Sequence, residues 1–475
     1  MKLFLLMRQI RNFLIDNLIG IAKTQLKGFN INMWCILPKE ELNNFLYKYP
    51  KLQDYNNEFL LNETDKYFIL PRYFINDFPF DKMFVHEDNT FNGETIDIEF
   101  TATLRDYQEE GTNVIKNMWN NHGEINGLFK AKPGHGKTVI GAWITCLTKQ
   151  KTLIILDNTI LVEQWRNAYL NFTNLTEDDI GIFQGQVTEI DRPVVITMVQ
   201  TLLAKQKSDL KEWYNKIKQA GFNLVFFDEV HATASGPKFA LASLFINTRN
   251  VLGFSATPWS QGINKILLKN CIGEIIYSSK DYDTVPSINF VKFKSLLEKK
   301  YIYRFNIMNK DYVKGIAFYN SIIYNDAEYL NTIFKISKKL IDKGHALLII
   351  VSTIKQVATI VEFLKLQGLS PIPFYSGERE LNRDVDRLLV GTSKYISKGF
   401  DYDELSALLY GTPLKGRVSL VQTAGRILRS KQGKIAPEIY DLVDTNFGNA
   451  FTSTIVTKKN VFKEEFGNDI IFNEF

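Results

Sequence analysis

Ala131-Lys-Pro-Gly-His-Gly-Lys-Thr138 is the stretch on which the fold turns. The apolar run before it, Gly127-Leu-Phe-Lys-Ala131, reads as a strand, and Val139 to Leu147 behind it reads as a helix. A strand, a loop of small residues and a helix together make an anion site. Backbone N–H groups converge on phosphate oxygens, and the helix N-terminus adds the positive end of its dipole. Pro133, Gly134, His135 and Gly136 would form the cradle. Lys137 would reach the β- and γ-phosphates, and Thr138 would hold Mg²⁺ through its hydroxyl. Ala131 stands where the general pattern has glycine, and it keeps that position small.

Reading outward, the same rhythm continues on both sides of the loop. Thr152-Leu-Ile-Ile-Leu, Val194-Val-Ile-Thr, Leu224-Val-Phe-Phe and Val251-Leu-Gly-Phe-Ser are short, apolar and rich in β-branched and aromatic residues. Such runs suit strands buried on both faces in a helix-covered parallel sheet. A second series follows: Ala346 to Val351 as a strand, Ile354 to Leu366 as a helix, then strands at 372–375, 387–391, 407–410 and 439–443. The expected fold class is α/β, with two consecutive parallel sheets.

Leu224-Val-Phe-Phe-Asp-Glu-Val-His231 ends one strand in two carboxylates, at the sheet edge where α/β ligands sit. Neighbouring strand residues point to opposite faces, so the acids can divide labour. Asp228 would hold Mg²⁺ through water, and Glu229 would take a proton from an attacking water.

Composition excludes several classes. With 45% apolar and 23% charged residues over 475 positions, the chain is neither disordered nor fibrous. Three scattered cysteines, Cys35, Cys146 and Cys271, exclude a disulfide scaffold and a zinc ribbon. Arg8, Arg11 and Asp16 break the apolar start, so residues 1–22 read as an amphipathic helix rather than a signal peptide. A net charge of +5 is too small to imply a polyanion partner by itself. The expected organisation is a small α+β accessory domain at 1–95, a first α/β domain at 96–280 and a Lys- and Tyr-rich connector at 281–325. A second α/β domain at 326–455 and a tail at 456–475 complete it.

Further signatures stand in a fixed order around the loop and the acids. They are Leu104-Arg-Asp-Tyr-Gln108, Leu161-Val-Glu-Gln-Trp165, Thr197-Met-Val-Gln-Thr201 and Ser255-Ala-Thr-Pro258. Beyond them come Tyr375-Ser-Gly-Glu378, Gly391-Thr-Ser393, Gly399-Phe-Asp401 and Gln422-Thr-Ala-Gly-Arg-Ile-Leu-Arg429. Over residues 100–450 the chain resembles the superfamily 2 helicases of the DExH type. The branch is that of XPB-like repair helicases, phage UvsW-like branch-migration helicases and poxvirus-type transcript-release helicases.

The resemblance implies two tandem RecA-like domains binding ATP with Mg²⁺. It implies that Gln108 reads adenine, that Gln422, Gly399 and Asp401 complete the nucleotide site, and that Arg426 and Arg429 stabilise transition-state charge beside Lys137 and Glu229. His231, Ser255 and Thr257 would couple the site to the second domain, and Thr197, Thr353 and Thr392 would grip a nucleic-acid strand. Two positions depart from the family: Asp157-Asn158, and Trp259-Ser-Gln after Pro258. The expected function is an ATP-dependent DNA helicase or translocase. RNA work, transcript release and the motor subunit of a defence nuclease are the alternatives. The implied partners are DNA, or RNA, and proteins of replication, recombination or transcription, in the cytoplasm of a cell or of a virus's host and with no membrane.

Overall fold

The computed structural model describes residues 93–475 apart from 133, 231–241, 243–245, 247, 249, 259–267, 270, 280–283, 375–384, 394–401, 429–432 and 468–469. Before residue 93 it describes the backbone of five short strands. These are β1 (Phe29–Ile31), β2 (Trp34–Pro38), β3 (Asn62–Glu63), β4 (Tyr67–Pro71) and β5 (Glu87–Asp88), in the order β3-β4-β2-β1-β5. Their pairings are antiparallel except β1 with β5. The amphipathic helix expected at 1–22 lies outside the described residues.

The chain divides into two units, 1–279 and 280–475. In the first, the large sheet comprises β6 (Asn126–Lys130), β7 (Thr152–Leu156), β8 (Ile180–Gln184), β9 (Val187–Thr188), β10 (Val194–Met198), β11 (Leu224–Asp228), β12 (Asn250–Ser255) and β13 (Ile275–Ser278). Their order is β13-β6-β12-β11-β7-β10-β8-β9, and every pairing is parallel except the β8–β9 hairpin. The strands β7, β10, β11 and β12 are buried at every position. Helices α1 (Asp106–His122), α2 (Lys137–Thr148), α3 (Ile160–Phe172), α4 (Val199–Ser208) and α5 (Leu210–Gln219) connect them. Because the strands run parallel, the loop after β6 and the acids ending β11 emerge at one edge, with only β12 between them.

The second unit carries β14 (Ser287–Phe293), β15 (Ala346–Val351), β16 (Ile372–Phe374), β17 (Leu388–Thr392), β18 (Leu405–Tyr410), β19 (Glu438–Asp444) and β20 (Phe472–Glu474). All are parallel, in the order β16-β17-β15-β18-β19-β14-β20. Helices α6 (Lys299–Met308), α7 (Tyr312–Ile322), α8 (Ala327–Asp342), α9 (Ile354–Leu366), α10 (Arg417–Ile427) and α11 (Gly448–Phe466) join the strands.

Two expected boundaries change. The segment 281–325 is no connector: β14 sits inside the second sheet, between β19 and β20, and α6 and α7 follow it. Ile288 and Phe290 share one face of the strand and Phe293 lies on the other, and all three are buried, which seats the strand in the core. Nor is 456–475 a tail, since it completes α11 and supplies β20. Among the described residues no helix is long and apolar enough to cross a membrane.

A buried ion pair ties α11 to the sheet. The Lys458 ammonium lies 2.7 Å from the Asp441 carboxylate and 4.5 Å over the Tyr410 ring. Burial raises the Asp441 pKa and lowers that of Lys458, opposed in both cases by the partner's charge. Removing one partner strands the other, at a cost of roughly 3–5 kcal/mol. Lys458→Met should therefore lower the urea midpoint sharply, while Lys458→Met with Asp441→Leu should recover most of the loss. Equal losses in both variants would show that packing rather than charge is at stake.

Candidate active site

The loop between β6 and α2 is anchored from both sides. The Ala131 N–H donates to the Ser255 carbonyl at 3.0 Å, and the Lys132 N–H donates to the Ser279 hydroxyl at 3.3 Å. Gly134 and Gly136 hold φ of +82° and +75°, the left-handed region that glycine tolerates best. Gly136 caps the N-terminus of α2, so Lys137 and Thr138 begin the helix at its positive end.

Gln108 clamps this loop. Its Oε1 accepts the Arg105 N–H at 3.0 Å, closing the first turn of α1. Its Nε2 donates to the His135 carbonyl at 3.1 Å. The adenine-reading role expected of Gln108 therefore shares the amide with a structural duty, which leaves one N–H and one lone pair for a ligand. A Cβ on Gly136 would lie 2.4 Å from that Nε2. Gly136→Ala should accordingly weaken ATP binding tenfold or more and cost about 1–2 kcal/mol of stability through left-handed strain alone. Isothermal titration and thermal melting check this, and unchanged affinity would show that the loop tolerates a side chain.

The His135 ring lies 5.0 Å from the Tyr107 ring. Burial, with Lys132 and Lys137 nearby, holds the His135 pKa down at about 4, so this loop histidine is neutral at pH 7.

The acids meet the loop lysine. The Lys137 ammonium lies 3.1 Å from Glu229 Oε1, with side-chain exposures of 11% and 22%. Asp228 is buried: its Oδ2 accepts the Trp165 indole N–H at 2.9 Å, and its Oδ1 accepts the Glu229 N–H at 2.8 Å. Burial, and next the Glu229 charge, push Asp228 up to about 6, while Lys137 and Trp165 pull it back. Glu229 holds φ of +53°, and among the described residues the only other positive-φ residue besides glycines is Lys149. A side chain held in that region beside a reactive constellation marks a site where geometry outweighs backbone preference.

Trp165 had no role in the sequence reading. It comes from α3, stacks on Phe226 at 5.8 Å, and orients the Asp228 carboxylate. The signal was present, because Trp165 closes one of the quoted signatures, but the contact spans 63 positions.

Other expected residues fall variously. The Ser255 hydroxyl accepts the Thr257 N–H at 3.0 Å, next to the acid turn, where the Val230 N–H donates to the Phe254 carbonyl. Thr197 is buried, with its hydroxyl donating to the Phe183 carbonyl at 2.8 Å, and Thr392 is buried at the end of β17. Each lies within a strand of its own sheet. Thr353 is exposed at the N-cap of α9, where it accepts the Gln356 N–H. In the second unit, Gln422 and Arg426 stand one turn apart on α10. Pro133, His231, Gly399, Asp401 and Arg429 lie outside the described residues.

Residues 101–260 match the family model described as "Type III restriction enzyme, res subunit". A protein of Acanthamoeba polyphaga mimivirus named for ATP-dependent RNA helicase activity is 25% identical over 446 residues, 90% of this chain and 79% of that protein. The matched domain is of helicase type, and the relatives are superfamily 2 helicases. The DNA 3'-5' helicase XPB of Kineococcus radiotolerans is 34% identical to this chain over 162 residues, 32% of this chain and 26% of that protein. The type ISP restriction-modification enzyme LlaBIII shares the fold of this chain, with a TM-score of 0.53 at 15% identity, over 79% of this chain and 31% of the enzyme. The protein is an ATP-hydrolysing nucleic-acid motor, and its sheets match tandem RecA-like domains.

Proposed function

We propose that this protein is a helicase working on DNA, branched or duplex, coupling ATP hydrolysis to strand movement in the cytoplasm of a cell or of a virus's host. The observation that carries the chemistry is the Lys137–Glu229 ion pair beside buried Asp228. A carboxylate tied to an ammonium is a poor base. When ATP binds, Lys137 turns to the β- and γ-phosphates, and Glu229 becomes able to accept a proton from the attacking water. Water oxygen then bonds to the γ-phosphorus as the bond to the ADP oxygen breaks.

The donor set fits a magnesium ion. Asp228 keeps one lone pair on each oxygen, its raised pKa marks a place where a cation is favourable, and Thr138 opens α2 beside the loop. Thr138 and Asp228 would hold the ion, whose charge offsets that of the phosphates. Arg426 and Arg429 stabilise the transferring phosphoryl group, supported by Gln422, Gly399 and Asp401, and His231, Ser255 and Thr257 relay the nucleotide state. The reading for DNA draws on the names of the Kineococcus radiotolerans and Haloarcula marismortui DNA helicases, the latter 32% identical over 166 residues.

ATP turnover measured in parallel with no nucleic acid, single-stranded DNA, forked DNA, duplex DNA and RNA tests it. Forked or duplex DNA should stimulate most, and affinity should fall log-linearly with salt by about 0.7–0.9 per phosphate contacted. Greatest stimulation by RNA would overturn the DNA reading and favour the RNA activity in the mimivirus protein's name.

A further inference from the structure

The helix pair α6–α7 takes no part in the site above. Between Leu296 and Ile316 the chain holds five basic and two acidic residues, a large share of a whole-chain excess of only +5. Both acids are already engaged. Glu298 pairs with Lys300 at 2.8 Å, and Asp311 caps α7 and lies 3.5 Å from Lys314.

On α6, Lys300, Tyr303, Arg304 and Ile307 follow at the spacing of one helical face, and all four are exposed. Tyr303 is 71% exposed and Ile307 53%, while Val313, in the first turn of α7, is 74% exposed. The opposite face is anchored: Phe305 is buried, edge-on to Phe447 at 4.8 Å and to Tyr319 at 6.4 Å. A solvent-facing helix surface ordinarily carries polar groups, and large apolar side chains clustered among cations mark a binding face.

We infer that this face binds single-stranded nucleic acid, with Tyr303 as a stacking platform for a base. Ile307 and Val313 extend the platform, and Lys299, Arg304 and Lys310 meet phosphates. The chemistry selects this occupant. An unpaired base offers a π-face to a tyrosine ring, and the phosphates that flank it complement cations interleaved with apolar groups. Arg304 is already held over the Phe318 ring at 5.1 Å, which fixes one cation beside Tyr303. The inference rests on the chain's being a nucleic-acid motor and is independent of whether DNA or RNA is its substrate.

The test compares the full chain with Tyr303→Ala, Tyr303→Phe and the pair Lys299→Gln with Lys310→Gln. Fluorescence anisotropy reads binding to oligo-dT, oligo-rU and blunt duplex DNA across a salt series, and melting curves confirm folding. Tyr303→Ala should weaken both single strands by roughly 5- to 100-fold, with duplex affinity and salt slope unchanged. Tyr303→Phe should bind as wild type. The lysine pair should reduce the salt slope by up to about 1.4. ATP turnover without nucleic acid should not move. Wild-type binding by Tyr303→Ala, an equal loss on blunt duplex, or failure of Tyr303→Phe would each overturn the proposal.

Discussion

Lys137→Ala should lower ATP turnover by roughly 10²–10³-fold or more, the scale set by removing one preorganised group from developing transition-state charge. The ammonium lies 3.1 Å from Glu229, and it stands in the first turn of α2 beside the phosphate loop. Stability should change much less. The pair is partly solvated, with Glu229 22% exposed, so its loss should cost no more than about 1 kcal/mol. Lys137→Arg should remain slow despite keeping its charge, because a planar fork cannot replace a compact ammonium in a cradle shaped by Gly134 and Gly136. Turnover and melting temperature measured together decide the matter, and near-normal turnover by Lys137→Ala would remove the loop from the chemistry.

Glu229→Gln should separate binding from hydrolysis. The amide keeps the shape of the carboxylate but cannot accept the water's proton, so turnover should fall by about 10²–10⁴-fold. ATP should nonetheless bind several-fold tighter than to wild type. In the wild type, phosphates compete with Glu229 for the Lys137 ammonium, and the substitution removes the competitor. Deleting the neighbouring charge should also let the Asp228 pKa relax downward. Filter binding with labelled ATP, followed by chromatography of the retained nucleotide, should find unhydrolysed ATP. Weakened binding would instead assign Glu229 to holding the metal or the fold.

Local pattern was enough to locate much of this molecule. Thr152–Leu156 and Ile354–Leu366 read as the elements that formed, because unbroken β-branched runs and 3.6-residue periodicity are properties of neighbours in sequence. The phosphate loop was legible for the same reason: the strand, the glycines and the helix are contiguous. What stayed hidden depended on distant partners. The strand at 287–293 was hidden by surrounding lysines and tyrosines, and only its pairing with β19 and β20 reveals it. Trp165 oriented on Asp228, and Gln108 clamped on His135, are tertiary contacts between segments each motif describes separately. Thr197 stands near the end of its strand, and the local sequence carries no sign of what its hydroxyl meets. The neighbouring strand β8 offers the Phe183 carbonyl as a partner.

The place of β14 between β19 and β20 has a consequence during synthesis. Its partner β19 is about 150 residues further along the chain. At translation speeds of about 5–20 residues per second, Ser287–Phe293 waits roughly 8–30 s before the strand it pairs with has been made. The first unit's large sheet needs nothing from beyond residue 279 and can close in that interval. The nascent β14, apolar at Ile288, Phe290 and Phe293, meanwhile has both edges open to any strand that reaches it first. Ribosome-associated chaperones would find a client segment there, and slowing of translation between residues 293 and 438 would lengthen the hazard in direct proportion.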